Sequence, residues 1–172
     1  MATQQKSTEK QFSTHIDIAA EKRTALIEML NQNLADTFDL ASQVKQAHWN
    51  VKGKDFYQLH LLFDEIAAEL FGFVDLIAER VTTLGGYATG TVRMAAEHSA
   101  LEEYPTSAIG GMDHIKALVD RFGVYAGRIR QAIDDSDEIG DPTTADLYTE
   151  VSRKVDERLW FLEAHIQSGD RA

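Results

Sequence analysis

Residues 47–65 read AHWNVKGKDFYQLHLLFDE, and shortly after them, at 74–80, the chain reads VDLIAER. His60 and Asp64 stand four residues apart, and so do Asp75 and Glu79. On a helix that spacing places two side chains on one face, within about 6 Å of each other. Imidazole nitrogen with carboxylate oxygen is a donor set suited to Fe(II), Zn(II) or Mn(II). His48 lies just before the NVKGKD break, close enough in sequence to fold back over His60 and Asp64. Two readings of these residues stay open, a metal site and a solvated polar helix face with hydrogen-bonded histidines.

The spacing between the pairs narrows the metal reading. From Asp64 to Asp75 the angular advance is roughly 20°, but the rise along the helix is about 16 Å. Both pairs therefore share a stripe without being able to hold one ion from one chain. If two copies of this helix cross antiparallel about a two-fold axis near Glu69 and Leu70, the first pair of one faces the second pair of the other. One self-complementary contact then creates two equivalent sites. The alternative, a dinuclear centre inside one chain, normally draws a Glu-x-x-His motif from each of two helices. That spacing is absent: Glu97-His98 and Glu163-x-His165 have the wrong offsets.

Side chains so placed need long helices, and the apolar residues are patterned for them. A first helix is expected from about Asp17 to Trp49, with Leu26, Leu30, Leu34, Thr37, Ala41, Val44 and His48 at spacings of three or four. After the break, Asp55 can cap a second helix whose core face runs from Phe56 through Leu59, Phe63, Ile66, Leu70, Phe73, Ile77 and Val81 to Leu84. Gly85 or Gly86 ends it. Residues 87–106 form a long connection in which TVRMAAEHSALEEY can make a short helix. A third long helix follows Gly110 and Gly111, with Ile115, Leu118, Phe122, Tyr125, Ile129 and Ile133 inward. The acidic stretch DDSDEIGDP is expected to be a turn, and Asp141 as N-cap with Pro142 behind it starts a fourth long helix. That helix turns Tyr148, Val151, Val155, Leu159, Leu162 and Ile166 inward. No strand pattern or internal repeat is present. The order predicts an all-α fold, a ferritin-like four-helix bundle with a short extra helix in the long middle connection. The expected boundaries are a flexible N-terminal tail at 1–14, the bundle domain at 15–168 and a short C-terminal tail at 169–172.

The 172 residues suffice for one domain with a full core. There are no cysteines, which excludes disulfides, zinc–thiolate sites and thiol catalysis. No apolar run is long enough to cross a bilayer and no secretion signal opens the chain, so a cytoplasmic location is expected. The formal net charge of -11 argues against whole-surface affinity for nucleic acid and suits a surface that attracts cations.

The blocks KQAHWNVKGKDFYQLHLLFDE, DLIAERVTTLGG and DDSDEIGDPTTADLYTEVSRKVDERLWFLEAHIQ resemble the Dps family, mini-ferritins also called DNA-binding proteins from starved cells. The resemblance spans nearly the whole chain after the tail. It implies that His48, His60, Asp64, Asp75 and Glu79 are ferroxidase ligands shared across a dimer interface. It further implies a homo-oligomer, a hollow shell of twelve subunits. Such shells oxidise Fe(II), usually with hydrogen peroxide, oxygen being the other oxidant, and store the ferric mineral, which protects against oxidative damage. Iron is the implied metal, with zinc and manganese as competitors for the same donors. Asp64, Glu79 and His48 would hold the first iron, while Asp75 and His60 would assist a second or orient a bridging water. Trp49 beside the site would quench radicals on the family pattern, or else plug the helix end.

In such proteins the start of the last helix lines pores through which iron enters. Asp146 is the first candidate for that role here and Asp141 the second, with helix-end charge as the plainer reading of Asp141. His15, His98, His114 and His165 are expected at the surface. DNA binding through the tails, and with it nucleoid association, stays open as a second function. The tail carries only Lys6 and Lys10 against Glu9, so any contact with DNA is expected to be weak.

Overall fold

The computed structural model describes residues 10–167. Five helices follow in order: α1 (Ala20–Asn50), α2 (Phe56–Thr83), α3 (Val92–His98), α4 (Gly111–Ile139) and α5 (Pro142–Glu163). Among the described residues there is no strand, only one isolated bridge between Lys52 and Gly110. The fold is all-helical, as the periodicity requires. α1 packs along α2, α4 packs along α5, and α1 also meets α3 and α4. The chain thus makes two helical hairpins joined by the segment that contains α3.

The core is built from the expected stripes. Leu26, Leu30, Leu34, Ala41 and Val44 of α1 are buried against Leu59, Phe63, Ile66, Leu70, Ile77 and Val81 of α2. Ile115, Leu118, Phe122, Tyr125 and Ile129 of α4 and Tyr148, Val151, Val155 and Leu162 of α5 close the other side. Two buried tyrosines keep their hydroxyls satisfied inside this apolar mass. Tyr125 shares a 2.7 Å hydrogen bond with Thr37, and Asn33 donates to the Tyr148 oxygen at 3.0 Å. Paired in this way, the polar groups avoid the cost of bare burial.

Several local expectations change. α4 runs straight through the acidic stretch expected to be a turn. Its acidic residues point largely outward while Ser136 is buried, its hydroxyl donating to the Ala132 carbonyl at 2.6 Å. The helix stops only at Gly140, whose φ of 90° favours glycine and whose N–H bonds the Ser136 and Asp137 carbonyls. Asp55 precedes α2 but makes no side-chain cap. Phe56, placed on the core stripe by its spacing, is 42% exposed. Ile133, Leu159 and Ile166 are only half-buried. Of the four histidines expected at the surface, His114 is fully buried and bonds the Tyr104 hydroxyl at 2.6 Å.

Of the segment expected as an N-terminal tail, residues 1–9 lie outside the described residues, as do 168–172 at the other end. Residues 10–12 meet the body. The Phe12 N–H donates to the Gly85 carbonyl at 2.7 Å, and the Gln11 amide donates to Thr24 at 2.7 Å. Gly85 has φ of 84°, and a Cβ there would stand 2.6 Å from the Phe12 carbonyl oxygen, so the turn after α2 needs glycine twice over.

Candidate metal centre

The turn at residues 51–55 sets the geometry of the candidate site. Gly53, with φ of 111°, lets the chain reverse, and the Lys52 N–H is pinned to the Ile109 carbonyl at 3.0 Å. The last turn of α1 thereby lies beside the first turn of α2. His48 and His60 stack face to face, with ring centroids 3.8 Å apart and planes 18° from parallel. Each ring also bonds the other's backbone: His48 Nδ1 meets the His60 carbonyl at 2.7 Å, and His60 Nδ1 meets the His48 carbonyl at 2.9 Å. A carbonyl oxygen only accepts, so both Nδ1 atoms carry the proton. Both Nε2 atoms of the neutral rings are then lone-pair donors, held in orientation by backbone partners as metal-ligating histidines commonly are.

Asp64 lies one turn beyond His60 with its side chain half exposed. It is paired with Lys45, which precedes His48 by three residues on α1. The Lys45 hydrogen bond, with the charge of Lys45 behind it, holds the Asp64 carboxyl below the usual range. The group is an anion at neutral pH, paired with the Lys45 ammonium. Lys45 was not among the candidate residues. No spacing within α1 pointed to it, because the pair forms only where α1 and α2 meet.

Asp75 and Glu79 are both exposed on the same helix. They lie on the stripe of Asp64 but about 16 Å along the axis from it. The structure thus brings His48, His60 and Asp64 into one neighbourhood and leaves Asp75 and Glu79 in another. Among the described residues, no three metal-binding side chains of one chain converge on a point suited to an ion. Trp49, next to His48 in the chain, is 64% exposed, and Tyr57 and Leu61, which follow Phe56 and His60, are exposed as well. Trp49 therefore plugs no core within its own chain.

The two carboxylates at the start of α5 part company. Asp141 is buried at 2% exposure and occupied on both oxygens. Oδ1 accepts from the Thr143 N–H, while Oδ2 accepts from Arg80 at 2.6 Å and from the Thr144 hydroxyl. Burial alone would push this carboxyl up, but the Thr144 and Arg80 bonds outweigh it and hold it below the ordinary value. Asp141 caps α5 and ties it to α2. Asp146 is exposed.

The ferritin-like domain family matches residues 27–172. A protein named DNA protection during starvation protein, from Agrobacterium fabrum, is 47% identical over 158 residues, covering 92% of this chain and 98% of its own. Among solved structures, DpsC from Streptomyces coelicolor superposes with a TM-score of 0.87 at 32% identity, covering 91% of this chain and 92% of its own. A Dps protein from Vibrio cholerae O1, described as a member of a broad superfamily of ferritin-like diiron-carboxylate proteins, gives 0.84 at 27% identity, covering 90% and 96%.

Proposed function

The chain belongs to the ferritin-like family and, within it, to the Dps proteins, and from that premise we propose that it oxidises Fe(II) at sites shared between two subunits. The observation that carries this reading is the pair of half-sites on α2. His48 and His60 present two oriented Nε2 donors beside an ionised Asp64, while Asp75 and Glu79 offer bare carboxylates one crossing away. Neither half alone makes a site for an ion. Two copies of α2 crossing antiparallel complete both. Asp64 and His48 of one chain with Glu79 of the other hold the first iron. His60, with Asp75 of the second copy, assists the second iron or orients a bridging water.

The chemistry needs two irons. Each Fe(II) gives up one electron. The O–O bond of one hydrogen peroxide takes the pair, breaks, and leaves with two protons as two waters. Using both electrons at once avoids release of a hydroxyl radical. The Fe(III) produced is stored as mineral inside a shell of twelve chains, and the cell is protected from both peroxide and free iron. Of the two carboxylates at the start of α5, Asp146 is the exposed one, and we assign it to the route by which Fe(II) moves inward.

No helix among the described residues is long and apolar enough to cross a membrane. We place the protein in the cytoplasm. DNA contact is a secondary property in this reading. The net charge is -11, and Lys10 lies over the Tyr87 ring, 5.9 Å from its centroid. Fe(II) oxidation followed without oxygen but with peroxide, and again in air alone, tests the proposal. Two Fe(II) consumed per peroxide, at a rate well above that in air, is the expected result. A rate no faster than that of Fe(II) in buffer under either oxidant would contradict it.

A further inference from the structure

Phe56 is the first residue of α2, and its spacing would put it in the core, yet it is 42% exposed and stands outside the hydrophobic cluster. Burial does not explain it. Its ring instead lies against His60, one helical turn on, with centroids 5.1 Å apart and planes 29° from parallel. The other face of His60 is covered by His48 at 3.8 Å. Three rings therefore stack in the order Phe56, His60, His48. Within that stack His60 is held on both faces, and its Nδ1 is tied to the His48 carbonyl at 2.9 Å. The Nε2 edge is what remains for a ligand.

We propose that Phe56 is a positioning residue for the site: its ring closes the free face of His60 and so keeps both imidazoles aimed. The inference rests on the metal reading above and adds a residue to it. Without Phe56, the His60 ring has an open face and can rotate about its χ angles, trading the bond to the His48 carbonyl for water. Because the His60 ring also covers one face of His48, a loosened His60 takes that stacking partner from His48, whose own Nδ1 bond to the His60 backbone carbonyl remains. One substitution outside the ligand set then loosens two ligands, by the route through which outer partners of metal-binding histidines act.

The test uses the assembled, metal-free protein and Co(II), a coloured stand-in for Fe(II) with similar donor preferences. Parent, Phe56→Leu, Phe56→Met and Phe56→Tyr are titrated while the Co(II) absorption band is recorded. Phe56→Leu keeps apolar bulk without a stacking face, and should weaken Co(II) binding about two- to tenfold, the range of an aromatic pair contact. Its band should change in shape or intensity as the donors lose their fixed geometry. Phe56→Tyr restores the ring, and should bind within about twofold of the parent with the parental band. Phe56→Met serves in place of Phe56→Leu if the latter does not assemble.

Unchanged affinity and spectrum in Phe56→Leu would overturn the proposal. So would a Phe56→Tyr protein as impaired as Phe56→Leu, because the stack would then not be what matters. Should the parent itself bind no Co(II), the metal reading fails, and the positioning claim is judged on the crystal structure of metal-free Phe56→Leu. A His60 ring that turns away from His48 there supports it, and a ring that stays stacked with both Nδ1 bonds intact refutes it.

Discussion

Two histidines twelve residues apart fix each other's protons, and the candidate chemistry follows from that exchange. A neutral imidazole has one lone pair to give, and the backbone carbonyls decide that it sits on Nε2 in both rings. At the start of α5, a single side chain separates the pore reading from helix-end charge. Asp146→Asn removes one exposed anion per chain and should slow iron uptake at low Fe(II) while leaving the half-sites whole, because negative potential concentrates cations along a path. Stopped-flow uptake rates equal to the parent's would mean that Asp146 only decorates a helix start. At this scale the ligand types and spacings were legible in the sequence, because four residues on a helix bring two side chains to one face. The stacking of His48 on His60, the grip of Lys45 on Asp64 and the burial of His114 were not. All three depend on how two elements approach, and no spacing within one element carries that.

Between elements, the Arg80–Asp141 pair joins α2, which carries every proposed carboxylate ligand, to α5. Arg80 is 12% and Asp141 3% exposed at the side chain, so this is a buried pair rather than a surface one. Removing one partner strands the other's charge. Arg80→Ala should cost about 3–5 kcal/mol in denaturant unfolding, where an exposed pair would cost about 1 or less. The acid limb should follow the same pair. Asp141 has a folded pKa lowered from 3.8, so its stabilisation is complete above that value and is withdrawn as pH falls through the lower folded value. In Arg80→Ala the carboxyl loses its guanidinium while keeping its burial, and acid unfolding should begin at a higher pH. An unshifted acid limb would show that the pair contributes nothing. The helices themselves were legible because apolar residues recur every three or four positions along each of them. The end of α4 was misread because acidic residues look like a turn until Ser136 and Gly140 are seen to carry the helix on and then stop it. Asp55, a cap by residue type, caps nothing because the chain before α2 is held by Gly53 and the Lys52–Ile109 bond.

At the scale of the whole molecule, everything proposed depends on subunits meeting through α2. Light scattering on the native protein should give a mass many times 19.2 kDa, near that of twelve chains, and isolated monomers would remove the basis of the shared site. The sharing itself is tested by complementation. One variant carries His60→Ala with Asp64→Ala, a second carries Asp75→Ala with Glu79→Ala, and each alone should be nearly inactive because every site lacks one half. The two are unfolded together, co-assembled in equal amounts and purified through a tag on each. In a mixed dimer one site receives both damaged halves and the other both intact halves. Random pairing makes about half the dimers mixed, so about a quarter of parental Fe(II) oxidation should return. Doubly tagged particles as inactive as either variant alone would mean that each site is built within one chain.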